Sequence, residues 1–284
     1  MIKKLDLSKE ELRKMQLLEL DLLKEFDRVC RKHGIIYTIS SGTMLGAVRH
    51  KGFIPWDDDA DISMLREEYE KFRSVADELN PDICYFQDHN TDPEYRWGYA
   101  KLRRTGTQYV RIGQEHLKCK TGIFVDIFPL DDVPDSKIGR ILQREHCFVT
   151  RKLMYSEVGK VSESETPLMR NVYGLLSRIP INYAFHRLKK YTKRSKNNTP
   201  NVVRTLTFDA FGKKARKLPG ELRYGRPKRW FTDVAEYEFE GCLLYGPKDY
   251  DGYLSFKYGN YMKLPAENER QQNSPVSFID FGNN

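Results

Sequence analysis

Four aspartates crowd into the stretch Asp57-Asp58-Asp59-Ala60-Asp61, and a fifth, Asp126, sits inside the otherwise apolar run Gly122–Phe128. Alternate side chains of a strand share a face, so a strand over Asp57–Met64 is predicted to line up Asp57, Asp59 and Asp61. Carboxylates placed side by side repel one another unless a cation lies among them. Mg²⁺ takes one or two such carboxylates together with substrate phosphates. A carboxylate buried without a partner is costly, and a metal shared with the cluster would give Asp126 one. The chemistry this predicts is metal-assisted transfer at phosphorus, with Asp59, Asp61, Asp57 and Asp126 as ligands and Mg²⁺, or alternatively Mn²⁺, as the ion.

Groups that could hold phosphate lie nearby. Ser41-Gly42-Thr43 precedes the short helical stretch Met44–Val48, and backbone N–H groups at a helix start make a phosphate cradle. The loop Arg49–Trp56 carries Arg49, His50 and Lys51. Lys101 and Arg103 fall on one face of a further strand and are candidates for a diphosphate. Two other readings of the acidic stretch fare worse. A solvated acidic turn fits poorly with the apolar flanks Phe53, Ile54, Trp56, Ile62 and Met64. The spacing of Asp57, Asp59, Asp61 and Glu68 matches a calcium-binding loop, but Ile62 stands where that loop's sharp turn needs glycine. No Gly-rich dinucleotide fingerprint occurs.

The elements that must position these residues are legible in outline. Ser8 and Glu11 form a capping box for a helix over 8–33, with Leu12, Met15, Leu22, Phe26 and Val29 at helical spacing and Gly34 as a stop. Ile35–Ser40 reads as a buried strand and residues 66–79 as a helix. Short strands are predicted near 83–88, 98–103, 107–111, 122–128, 202–208 and 234–240. Further helices are predicted over 136–158 and near 248–257, followed by an irregular tail. Pro180 divides two amphipathic pieces between 168 and 196, and Lys196–Pro200 reads as a linker. The expected organisation is a catalytic core over 1–160, a basic amphipathic helical insertion over 161–200, and a part over 201–284 that completes the same unit.

Composition narrows the class. Apolar residues make up 39% of the chain, enough for a packed core. The net charge of +8 draws phosphate-rich partners, yet no helix-turn-helix, zinc or RNA-binding motif is present and no nucleic-acid partner is expected. Five scattered cysteines without a CxxC pair argue against a disulfide framework and for a reducing cytoplasm. Neither a leader-like apolar segment at the start nor a membrane-spanning run is seen. The basic stretch 168–196 has two readings: ordinary packing with a solvated basic face, or peripheral contact with anionic lipid at the inner face of the plasma membrane.

The segment Ser41-Gly-Thr-Met-Leu-Gly-Ala-Val-Arg-His50, continued by Gly52-Phe-Ile-Pro-Trp-Asp-Asp-Asp-Ala-Asp-Ile62, resembles the signature of the LicD family of phosphocholine transferases, relatives of the fukutin group. Asp126–Asp131 and Tyr258–Pro265 agree with it in order and spacing, so the resemblance runs from about residue 30 to 268. It implies an α/β (α+β) nucleotidyltransferase-like fold, a small mixed sheet flanked by helices. It implies Asp59 and Asp61 as the paired metal aspartates and Asp126 as the third, with Gly42-Thr43 in place of the wider superfamily's Gly-Ser. It also implies CDP-choline or another CDP-linked donor, and a glycan or lipid-linked glycan acceptor. Trp56, Trp97, Tyr99, Trp230 and Tyr261 are available to a choline head group. The alternative is a nucleotidyltransferase using an NTP on protein, RNA or a small molecule.

Overall fold

A computed structural model describes residues 4–195, 201–207, 220–272 and 275–282. Helix α1 (Lys9–Lys32) starts at the predicted capping box, with Ser8 and Glu11 each satisfying the other's backbone N–H. Its apolar stripe is buried, and Gly34 turns the chain at φ +61°.

The central sheet is mixed. Strands β1 (Thr38–Ile39), β2 (Ala60–Leu65), β3 (Cys84–Gln87), β4 (Ala100–Arg104) and β6 (Phe124–Asp132) lie in the order β1-β2-β6-β4-β3. The far end of β6 pairs with β7 (Val202–Arg204), which pairs with β8 (Arg226–Pro227). Only β2 and β6 run parallel among these pairs. Helices α2 (Ser41–His50) and α3 (Arg66–Ser74) flank β2, and α1 packs on β4 and β6. This is the α+β architecture expected for a nucleotidyltransferase-like fold.

Three differences from the sequence reading have local causes. The strand expected over 35–40 is reduced to Thr38–Ile39, because the N–H of Ile35 goes to Cys30 O and that of Ile36 to the Glu68 carboxylate. The strand expected from Asp57 begins at Ala60; Asp57 still belongs to a turn, its N–H bonded to Ile54 O at 2.9 Å. The tail is not irregular throughout: β11 (Val276–Asp280) returns to pair with β5 (Gln108–Arg111), a long-range pairing that local sequence does not announce.

A hairpin of β9 (Val234–Phe239) and β10 (Cys242–Pro247) turns through Glu240 and Gly241, both at positive φ as a two-residue hairpin loop requires. Between β8 and β9 lies the short α7 (Arg229–Thr232), and α8 (Tyr250–Tyr258) follows β10. A separate helical layer is formed by α4 (Lys137–Gly159), α5 (Pro167–Leu176) and α6 (Ile181–Ser195). Cys147, Leu153 and Met154 of α4 share an apolar cluster with Ala184, Leu188 and Tyr191 of α6. Tyr173 of α5 is buried against Gly159 of α4. The Lys196–Pro200 linker and the side chains of Lys193 and Arg194 lie outside the described residues.

Candidate active site

Three strands bring the central row together. Asp61 of β2 is in register with Asp126 of the parallel β6, and Asp126 is in register with Lys101 of the antiparallel β4. Registered neighbours project to the same face, so Asp61, Asp126 and Lys101 stand side by side. Lys101 Nζ donates to Asp126 Oδ1 in a short buried ion pair and lies 3.2 Å from the Phe124 ring centroid. Burial, reinforced by Arg111 and Arg103 and opposed by Asp126, lowers the Lys101 ammonium to about 7.

The other aspartates arrive from the turn rather than from the strand. Gln16 of α1 holds that turn by donating to Ile54 O at 3.3 Å and to Asp57 O at 3.0 Å. One carboxylate oxygen from each of Asp57, Asp58 and Asp59 can be chosen so that all lie within 4.8 Å of one another. The Asp57 carboxylate lies against Gly42, where any Cβ would collide with it. Burial first, then Asp126 and Asp58, raises Asp59 to about 6. Burial, then Asp59 and Asp126, raises Asp61 to about 7. Asp57 is raised too, by burial and then by Asp59 and Asp61.

Glu19 completes the cluster from α1. It is buried, its Oε2 has no hydrogen-bond partner among the described residues, and burial followed by Asp59, Asp58, Asp57 and Asp126 holds its carboxyl well above the ordinary range. The sequence carried a signal for it: Glu19 interrupts the apolar stripe Leu12, Met15, Leu22, Phe26 at a core position. Lys257 of α8 and Arg111 of β5 were also missed. The Lys257 ammonium donates to Ser41 Oγ, is pushed down by burial, and feels Asp61 and Asp59. Arg111 faces Asp126 and Asp59 and stacks on Phe124. Nothing local in the sequence marks either cation, since each reaches the cluster through a distant element.

The expected phosphate contacts fall into different roles. Ser41 and Gly42 lie inside α2, not before it, and no side chain caps that helix start. Ser41 sits at φ +55°, a conformation disfavoured without a glycine, while its N–H donates to Tyr253 Oη at 2.9 Å. Thr43 Oγ1 accepts the Asp61 N–H at 2.8 Å, so this hydroxyl fixes the backbone at Asp61. Arg103 donates to Gln87 Oε1 and Gly122 O, each at 2.7 Å, and Arg49 donates to Tyr261 O at 3.0 Å. These bonds hold the sheet and join the first motif to Tyr258–Pro265. Of the aromatic candidates, Trp230 is buried with its Nε1 on Asp249, and Tyr261 donates to Asp251. Trp56 lies edge-on to His50, with the Arg270 guanidinium over its ring. Trp97 and Tyr99 line a cavity of about 230 Å³ with Tyr155 and Tyr173.

The donor set suits a hard divalent cation. It is all oxygen, crowded and half-buried, with carboxyls raised by burial and by one another. Asp57, Asp58 and Asp59 present carboxylate oxygens close enough together to share a cation, and Asp61 and Asp126 stand in register on the adjoining strands.

Residues 34–157 match the family described as LicD/FKTN/FKRP, nucleotidyltransferase domain. The lipopolysaccharide cholinephosphotransferase LicD of Haemophilus influenzae is 30% identical over 269 residues, spanning 93% of this chain and 96% of that protein. The chain belongs to the LicD family. The LicD match places it among the transferases of phosphorus-containing groups. An uncharacterised protein of Rickettsia typhi is 41% identical over 69 residues, 24% of this chain and 22% of its own length. Another from Rickettsia prowazekii is 44% identical over 72 residues, 24% of this chain and 27% of its own. The LicD-family region takes in Asp57–Asp61, Lys101 and Asp126 but leaves out Glu19 and Lys257.

Proposed function

We propose that this LicD-family protein moves phosphocholine from CDP-choline, or a similar phospho-group from another CDP-linked donor, to a hydroxyl of a cell-surface glycan or lipid-linked glycan. The observation that carries this is the registered row Asp61–Asp126–Lys101 beside the Asp57–Asp59 turn. It sets an oxygen-rich cation site against a lysine and Arg111. The H. influenzae relative's name supplies the choline and the lipopolysaccharide; teichoic acid and capsule are acceptors of the same chemistry.

A Mg²⁺ ion, or Mn²⁺ in its place, would supply charge neutralisation on the donor diphosphate. The chain's own residues do the rest. Asp59 and Asp61 would hold the ion beside the donor. Lys101 and Arg111 balance negative charge on the transferring phosphoryl oxygens. The acceptor oxygen bonds to the β-phosphorus as the bond from that phosphorus to the bridging oxygen breaks, and CMP leaves. The acceptor's proton passes to Asp126, whose Oδ1 is held by Lys101. The location that goes with this reading is the cytoplasmic side of the membrane; no helix among the described residues is long and apolar enough to cross one.

The test is CMP release from CDP-choline, CDP-ribitol and CDP-glycerol with Mg²⁺ and crude surface glycan, with CTP and ATP in parallel. The expected result is release from CDP-choline that falls roughly 10³-fold in Asp59→Ala and in Asp61→Ala. Release from another CDP donor changes the head group alone. Pyrophosphate from CTP or ATP overturns the reading in favour of nucleotidyl transfer.

A further inference from the structure

The helical layer buries one side and leaves the other apolar. On α4, Ile138, Ile141, Leu142, Phe148 and Val149 are exposed and recur at helical spacing, with Ile138 at 72%. They lie opposite the buried positions Gln143, Cys147, Thr150 and Met154 on the same helix. On α5, Leu168 at 73%, Val172 at 37% and Leu175 at 63% form a second stripe, on the side away from the buried Tyr173. Single exposed apolar side chains are ordinary, but a stripe of them on each of two contacting helices is not.

The charge around these stripes selects the occupant. No Asp or Glu occurs between Thr166 and Phe208, a segment that holds Arg170, Arg178, Arg187, Lys189 and Lys190. Lys160, Arg170 and Arg178 line a broad shallow concavity beside Leu175. Apolar stripes flanked by cations fit an interface where acyl chains lie beneath anionic head groups. A second copy of the same basic face would meet like charge instead.

We infer that the outward faces of α4 and α5 form a docking surface for an anionic lipid membrane. This surface differs from the one expected over 168–196, because Ala184, Leu188 and Tyr191 of α6 face inward and α4 supplies most of the exposed apolar residues. The same helices also border a cavity next to the active-site strand. Lys152 and Tyr155 of α4 and Tyr173 of α5 form one wall of the 230 Å³ cavity, and Trp97 and Tyr99 the other. The Tyr99 ring lies 5.5 Å from Lys101 Nζ. The cavity therefore borders both the helical layer and the chain that leads into the Lys101 strand. The docking surface itself does not depend on which donor is used.

The experiment is flotation of the full chain with vesicles of phosphatidylcholine alone and of equal parts phosphatidylcholine and phosphatidylglycerol. Wild type floats with the anionic vesicles, less so at high salt. Leu168→Ser/Leu175→Ser and Arg170→Gln/Arg178→Gln each weaken this about tenfold. All four sites are partly or fully exposed, so thermal unfolding and CMP release with a soluble acceptor stay unchanged. Failure of wild type to float, or equal flotation of the variants, overturns the inference. So does a wild-type dimer that the serine pair splits, seen by light scattering, which would make the stripes a self-association face.

Discussion

Asp61 and Asp126 stand in register on adjacent parallel strands, so two carboxylates that are 65 positions apart in sequence become neighbours on one face of the sheet. Burial first, then Asp59 and Asp126, raises the proton affinity of Asp61, while Lys101 pairs directly with Asp126.

The pH response follows from that crowding. Asp59 is raised to about 6 and Asp61 to about 7, against an ordinary aspartate near 3.8. Between those limits the chelated protein holds more protons than the unfolded chain. The cluster's contribution to stability is therefore full below the ordinary aspartate range and is lost as pH rises through 6 to 7. Thermal unfolding with chelator should show lower stability at pH 8 than at pH 5, by several kcal/mol at most in order of magnitude. Added Mg²⁺ should restore stability most at pH 8, where it no longer competes with protons. A Mg²⁺ increment independent of pH would contradict this.

Lys101→Met should remove the partner of a buried carboxylate. The expected loss is about 3–5 kcal/mol of stability at neutral pH. Denaturant titration at pH 7 measures it, and an unchanged midpoint would contradict the pairing.

Thr43→Val should leave the Asp61 N–H without its acceptor. A loss of about 1–3 kcal/mol is expected, with weaker Mg²⁺ binding because Asp61 loses its anchor. Thr43→Ser keeps the hydroxyl and should recover most of both, which a volume effect alone would not do.

Glu19→Gln should keep the fold, since amide and carboxyl are of equal size. Mg²⁺ affinity by calorimetry should fall by about tenfold, in the range of residues that support metal ligands. Unchanged affinity would leave Glu19 as a buried neutral spacer.

The sequence by itself determined the parts whose signals are local. The capping box at Ser8 and Glu11, the periodicity of α1, and the aspartate crowding at 57–61 each depend on residues within a few positions of one another. Asp126 was visible because a carboxylate in an apolar strand demands a partner. Tertiary structure alone decided which partners it received. The register of β2, β6 and β4 aligned Asp61, Asp126 and Lys101, and the turn at Asp57 broke the strand that spacing predicted. Lys257, Arg111 and the returning strand β11 reach their places through contacts that span much of the chain. Such contacts are set by whole-sheet packing and loop closure, and no short window of sequence contains that free energy.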